Sequence, residues 1–389
     1  MDVLTLEALD LASLGVSQSA RLDPRHQVTG DRGIPSMVCG ELLAGVVIVG
    51  DAGSALGSLS TVVPGVDYSG RVKLCYLDPP YNTGERFAYY DDRRHSDSWL
   101  DELRDNLTAV LPLLAPNASV WLHLDDSEQH RARSVMDEVF GREAFVATVI
   151  WQKRLTRDNR TAFSSMHDYI HVYAPDGPRA WKRVRNGVSD DGAFANPDDD
   201  PRGPWRSAPM TVQSGHATRS QFYTVVTPTG AHHEPPPGRC WTYTAERLAQ
   251  LDMEGRVYWP RGGNGKPRLK RYQNESGGLA PFTVWGAAEV GDTSSAKKAL
   301  LRQFPDRPAF DTPKPLALLE RIVEIATDPG ELVLDFYLGS GTTAVAAQRL
   351  GRPWLGVEKS SEVVEAFVLP RLQAAYNDGA RAGFGISRP

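Results

Sequence analysis

Apolar residues recur in two rhythms along this chain. Short unbroken apolar runs read as strands buried on both faces: Leu42 to Val49, Val72 to Leu77, Ser119 to Leu124, Phe145 to Trp151, Leu332 to Phe336 and Trp354 to Val357. Between them the period lengthens to that of a helix. A short helix fits Ala55 to Leu59. Leu100, Leu103, Leu107, Val110, Leu111 and Leu114 share one helical face, with Ser98 as a candidate cap. Val135, Met136 and Val139 mark a helix over 127–140, and Leu316, Leu319, Ile322, Val323 and Ala326 another, stopped by Asp328-Pro329-Gly330. Ala344 to Leu350 and Ser361 to Tyr376 complete the series. Strands alternating with helices predict an α/β fold with a doubly wound, mostly parallel sheet.

The rhythm fails in the middle. Met166 to Tyr173 alternates as a strand, but from Asp176 to about Arg307 the chain is rich in Pro, Gly, Trp and Tyr. Only single short helices, such as Ala245 to Leu251, interrupt it. The pattern predicts a β-rich insert over 175–305 that splits the α/β domain into 37–174 and 306–389. Residues 1–36 read as an N-terminal arm, with a loop from Arg21 to Gly33. The polar stretch Asn82 to Asp97 reads as a lid or a nucleic-acid-contacting loop.

Composition narrows the classes. A chain of 389 residues buries one large or two ordinary cores. A net charge of -5 argues against a protein that is basic throughout, not against a local basic groove. Cys39, Cys75 and Cys240 form no C-x-x-C pair, so neither a metal ribbon nor a disulfide framework is expected, and a reducing cytoplasm fits. The sequence shows neither a secretory leader nor an apolar run long enough to span a bilayer.

Candidate chemistry gathers at strand ends. Val72 to Leu77 delivers Asp78 to a point where Pro79 and Pro80 fix φ and remove two backbone donors. The ladder stops there, the proline carbonyls are left free, and Tyr81 follows. This set can grip a flat heteroaromatic ring bearing an amino group. Asp78 and the Pro79 carbonyl accept its hydrogens, and Tyr81 stacks on its face. The rival reading is a proline turn around a buried tyrosine. Near the other end, a strand runs into Leu338-Gly339-Ser340-Gly341-Thr342-Thr343, then a helix, then a strand closing on Glu358. That order is a nucleoside-cofactor half-site: glycines let the backbone approach the ligand, and the acid accepts from ribose hydroxyls. Asp51 reads either as a cofactor contact or as a helix cap. His123 and Asp125 read as structural residues rather than an acid–base pair. Arg154 and Arg157, then Arg261, Lys266, Arg268 and Lys270 among Tyr258, Trp259 and Tyr272, form basic stretches with interleaved aromatics. Such stretches suit phosphates and stacked bases, or the solvated face of an irregular insert.

The motif order is base grip, basic insert, cofactor turn, and in this the sequence resembles the β-class amino-group DNA methyltransferases. The residues that carry the likeness are Asp78-Pro79-Pro80-Tyr81, Thr312-Pro313-Lys314-Pro315 and Asp335-Phe336-Tyr337-Leu338-Gly339-Ser340-Gly341. Ile48-Val49-Gly50-Asp51 and Gly356-Val357-Glu358 also fit. Met166-His167-Asp168-Tyr169 and Lys266-Pro267-Arg268-Leu269-Lys270 look like segments of type III modification subunits. The family more often has a smaller or polar pair at Tyr337-Leu338.

The resemblance implies a Rossmann-like class I methyltransferase that uses S-adenosylmethionine, with the insert as target recognition domain. It implies that Asp335 to Gly341, with Thr342, hold the methionine part, and that Phe336 lies against the cofactor. Glu358 would take the ribose, Asp51 would lie near the adenine end, and Lys314 with Thr312 near the carboxylate end. Asp78 to Tyr81 would grip an adenine flipped out of double-stranded DNA for N6 methylation. The resemblance leaves room for a homodimer and for a restriction or phage-defence partner. Cytosine-N4 methylation, a protein-glutamine or RNA methyltransferase, and an inactive DNA-binding module are the alternatives. Asp78 in place of Ser speaks for adenine. The absence of Asn at that position, and the late cofactor motif, speak against glutamine. The intact glycines speak against decay.

Overall fold

The computed structural model describes residues 2–5, 45–57, 59, 67–83, 95–188, 194–275, 279–307 and 310–381. The expected arm, apart from Asp2–Thr5, and positions 84–94 of the expected lid lie outside the described residues. The chain divides into two compact units, Met1–Asn186 with Phe282–Pro389, and Gly187–Pro281.

The first unit is built on one nine-stranded sheet. From one edge its order is Asp2–Thr5, Gly45–Val49, Trp354–Glu358, Leu332–Asp335, Val72–Leu77, Leu114–Leu124, His167–Tyr173, Phe145–Gln152 and Val284–Trp285. Seven strands run one way, while Asp2–Thr5 and His167–Tyr173 run against them. The sheet is therefore mostly parallel, as the alternation of elements predicts. Its inner strands are apolar along their length because helices cover both faces. All four residues of Leu332–Asp335 are buried, as are five of the six in Val72–Leu77. Asp2–Thr5, read from the sequence as part of an arm, is an edge strand paired antiparallel with Gly45–Val49.

Helix ends differ from the sequence reading where a cap is ambiguous. The helix after the lid spans Ser96–Val110, so Ser98 lies inside it and bonds back to the His95 carbonyl at 2.9 Å. The final helix is interrupted by a π turn over Val364–Val368 before Leu369–Arg381.

The insert is shorter than 175–305. Helix Pro178–Val184, strand Val284–Trp285 and helices Ala287–Val290 and Thr293–Gln303 all belong to the first unit. Thr293–Gln303 starts from a capping box in which Ser295 N donates to Asp292 Oδ1 at 2.8 Å and Asp292 N to Ser295 Oγ at 3.0 Å. The second unit carries three small antiparallel sheets around Met210, Val225, Trp241, Leu248, Leu251, Val257 and Leu269.

Candidate active site

The site follows from the strand order. After Val72–Leu77 the chain goes to the neighbouring Leu114–Leu124. After Leu332–Asp335 it goes the other way, to Trp354–Glu358. Those two starting strands are themselves neighbours, with Cys75 opposite Leu334. A crevice opens above their carboxyl ends, where parallel α/β sheets bind ligands. Asp78 and Phe336 are the first residues past those ends. The crevice is a cavity of about 700 Å³, ample for a nucleoside-sized ligand. Asp78, Pro79, Pro80 and Tyr81 line it. So do Asp51, Thr312, Lys314, Asp335, Phe336, Gly339, Ser340, Thr342 and Glu358. Gly341 instead sits behind the wall in the left-handed region, at φ 81°, and starts helix Thr342–Arg349.

Asp78 is held by two neighbours. Lys314 Nζ bonds its two oxygens at 2.7 and 2.6 Å, and the Tyr81 hydroxyl donates to Oδ1 at 2.9 Å. Burial, and after it the Asp78 carboxylate, push the Tyr81 phenol well above its usual range, so it remains a donor. Trp99 Nε1 donates to the Pro80 carbonyl at 2.8 Å, which pins the turn. That carbonyl, expected to be free, is therefore taken. Lys314 Nζ also lies 5.1 Å from the centre of the Tyr81 ring. The ammonium thus stands where the sequence places an amine: on the carboxylate and over the ring.

Behind Tyr81 lies a buried polar chain. The His123 ring stacks on Tyr81 with centroids 6.2 Å apart and an interplanar angle of 29°. Its Nδ1 is 2.8 Å from the Tyr76 hydroxyl, and its Nε2 is 3.4 Å from Asp168, which pairs with Lys153 at 2.7 Å. Burial lowers the His123 pKa and keeps the ring neutral. Asp125 accepts the Ser127 N–H at 2.9 Å, as a turn residue does.

The glycine turn is held from both sides. Glu358 accepts the Gly339 N–H at 2.8 Å and the Ser360 N–H at 2.9 Å. A carboxylate has about four acceptor sites, so these two bonds do not exhaust it. Arg371 donates to the Ser340 carbonyl at 2.7 Å, to Ser340 Oγ at 3.0 Å and to Thr342 Oγ1 at 2.9 Å. Burial lowers its pKa to about 10. Arg371 and Trp99 escaped the sequence reading because one residue on a helical face carries no motif. Asp335 accepts the Tyr337 N–H at 2.9 Å, and burial pushes its pKa up to about 7. The unusual pair at 337–338 is accommodated. Tyr337 OH accepts from Asn106 Nδ2 at 2.9 Å, and Leu338 packs where Gly356 has no Cβ, since a Cβ there would lie 2.6 Å from it. Asp51 stands exposed at the mouth and accepts the Ser54 N–H at 3.3 Å, as a helix cap does.

The basic candidates separate. Arg154 and Arg157 lie in the loop after Phe145–Gln152, which leaves the sheet on the cavity's edge. In the second unit, Arg261 and Lys266 are exposed. Arg268 is half-buried and bonds Ser207 Oγ and its carbonyl at 2.9 and 3.0 Å. Lys270 corrects the sequence reading. It is buried against Asp198 and Asp200, with Nζ 2.9 Å from the latter, and offers no charge to a phosphate.

Against known families, residues 72–369 match the model described as DNA methylase. The chain belongs to the DNA methylase family. This methylase is 31% identical over 315 residues to the Mod subunit of the type III restriction-modification enzyme StyLTI of Salmonella typhimurium, covering 73% of this chain and 47% of that one. It is 29% identical over 302 residues to the type II methyltransferase M.EcaI of Enterobacter cloacae, covering 75% and 62%. The chain thus spans about half to three-fifths of the length of these relatives. Among solved structures it is similar to the cytosine-N4-specific PvuII DNA methyltransferase, at 12% identity and a TM-score of 0.46, over 87% of this chain and 93% of that one. No helix of the described residues is long and apolar enough to cross a membrane.

Proposed function

We propose that this methylase transfers a methyl group from S-adenosylmethionine to the N6 amine of an adenine flipped out of double-stranded DNA. One observation carries the reading: the Asp-Pro-Pro-Tyr turn and the glycine turn open into a single cavity from neighbouring strands. The donor and acceptor set of the cavity fits the cofactor. Glu358 would accept from the ribose, and Lys314 would meet the carboxylate. Asp335, with the wall at Phe336 and Gly339, would border the methionine part. When bound, S-adenosylmethionine supplies the electrophilic methyl on its sulfonium.

The protein's own part is positioning and charge. The amine's lone pair is delocalised into the purine ring and is weakly nucleophilic. Asp78 and the Pro79 carbonyl would accept its two hydrogens and favour the pyramidal nitrogen, and Tyr81 would replace lost stacking. Lys314 competes for that place, because in the free protein it bonds both oxygens of Asp78. A carboxylate arriving on the cofactor is a natural new partner for that ammonium, so cofactor binding would open the grip for the base. Arg154, Arg157, Arg261, Lys266 and Arg268 are the side chains proposed for DNA contact, and the second unit is proposed to read the target.

Adenine is favoured over cytosine by Asp78 in place of Ser at the head of the motif. The Salmonella relative is a subunit of a restriction-modification enzyme, which motivates a restriction subunit as partner; a second copy of the chain and a cytoplasmic location are proposed beside it. Light scattering of the purified protein, alone and with a candidate restriction subunit, tests the assembly. Sequencing of modified bases in DNA from a methylation-free host expressing the chain tests the activity. N6-methyladenine at one short sequence is expected. N4-methylcytosine would move the target to cytosine, and unmodified DNA from cells rich in folded protein would sink the reading.

A further inference from the structure

The loop between Phe145–Gln152 and His167–Tyr173 holds apolar side chains in water at the cost of much local order. The Asp158 carboxylate accepts the Arg160 N–H at 3.1 Å and its guanidinium at 2.9 and 2.8 Å. The Arg160 guanidinium keeps that carboxyl far below the usual range. Asp158 N donates to Ser164 Oγ at 2.8 Å, and Thr161 Oγ1 lies 3.0 Å from the carbonyls of both Asp158 and Phe163. At its base, Lys153 N donates to the Met166 carbonyl at 2.8 Å. Yet Phe163 is 94% exposed and Leu155 64% exposed. A loop tied at so many points could fold an aromatic ring inward; this one displays it, and displayed apolar groups mark contact surfaces.

Position gives the partner. The loop leaves the same sheet edge as Asp78, from strands two and three places away from Val72–Leu77. At about 4.8 Å per strand, its base lies roughly 10–15 Å from that residue along the edge. It is also joined to the base-stacking ring from beneath: Lys153 pairs with Asp168, Asp168 meets His123, and His123 stacks on Tyr81. Ser165 Oγ adds a bond to Asp126 at 3.3 Å. Arg160 is spent on Asp158, which leaves Arg154 and Arg157 as the loop's cations for phosphates. A displayed ring flanked by cations, beside a pocket for an extruded base, matches a duplex with a gap in its stack. An apolar wedge refills such a gap, and the cations take the backbone on either side.

We propose that the loop enters the duplex and that Phe163 occupies the place vacated by the flipped base, with Leu155 against its neighbour. This rests on the methylase reading above and names the group that stabilises the open duplex. The test uses the whole protein and a duplex bearing the sequence found to be methylated. One duplex carries 2-aminopurine at the target, whose fluorescence rises on leaving the stack. A second carries the target adenine in a mismatch. Phe163→Ala is expected to cut the fluorescence rise at least fivefold and kcat about tenfold on the paired duplex. The kcat deficit should shrink severalfold on the mismatched one, where opening is already easier. Phe163→Trp should restore most of the rise. Arg157→Ala should instead raise KM and flatten the salt dependence of binding. A Phe163→Ala protein with the wild-type rise and kcat would overturn the wedge, as would a Trp variant as defective as Ala. Silence of the wild type on both duplexes would be the failure of the methylase reading itself, and the wedge would fall with it.

Discussion

Asp335 is enclosed at the end of its strand and titrates near pH 7 instead of near 3.8. Between those values the folded chain holds a proton that the unfolded chain has released. The contribution of Asp335 to the stability of the free protein therefore falls as pH rises from about 4 to 7, and is level above that. A cationic ligand favours the ionised form, so binding of S-adenosylmethionine should expel protons and tighten as pH rises through 7. Calorimetry at pH 6.5 in buffers of different ionisation heat should report that release, and Asp335→Asn should abolish it. A neighbouring residue makes a second prediction. Asp78→Ala should cost at least about a hundredfold in methyl transfer. Because the change frees Lys314, the cofactor should bind the variant as tightly as wild type or more so. Titration of both proteins checks this, and a large loss of cofactor affinity would contradict the assignment of Lys314.

At the scale of elements, the cofactor turn is fitted to the strand beside it. Gly356→Ala would press a methyl against Leu338 and should destabilise by about 1–3 kcal/mol. Adding Leu338→Ala should recover part of that loss, a coupling that a double-mutant melting cycle would reveal. The elements were legible wherever burial is two-sided. Val72–Leu77 and Leu332–Asp335 are apolar runs followed by Asp-Pro-Pro and by the glycine turn; the first ends where the sequence puts it and the second one residue before Phe336. The capped helix Thr293–Gln303 was hidden by its Pro- and Gly-rich surroundings. The Lys314–Asp78 contact was also invisible, because it joins residues 236 positions apart and only the strand order brings them together. Lys270 misled for the opposite reason. A lysine among arginines and aromatics looks like a surface, but its partners Asp198 and Asp200 lie about seventy positions upstream.

The molecule has two compact units, each with its own core. Disturbing them should have separable results. Lys270→Ala takes the cation from Asp198 and leaves Asp200 with Arg202 as its cation, and should lower stability by roughly 1–3 kcal/mol. The salt dependence of DNA binding should stay unchanged by it. Arg154→Ala should do the reverse, leaving the melting temperature alone while lowering the slope of log K against log salt by about one. Melting curves and binding isotherms at several salt concentrations distinguish the two.

The strand order also sets a schedule. Leu332–Asp335 lies in the middle of the sheet, yet it is translated about 250 residues after its neighbour Val72–Leu77, a delay of roughly 13–50 s at ~5–20 residues per second. Until it arrives, the earlier strand has one bare edge on the ribosome, where a stray β-segment could dock. Nascent chains stalled before Leu332 should therefore be found held by chaperones, and those stalled after the last strand should not.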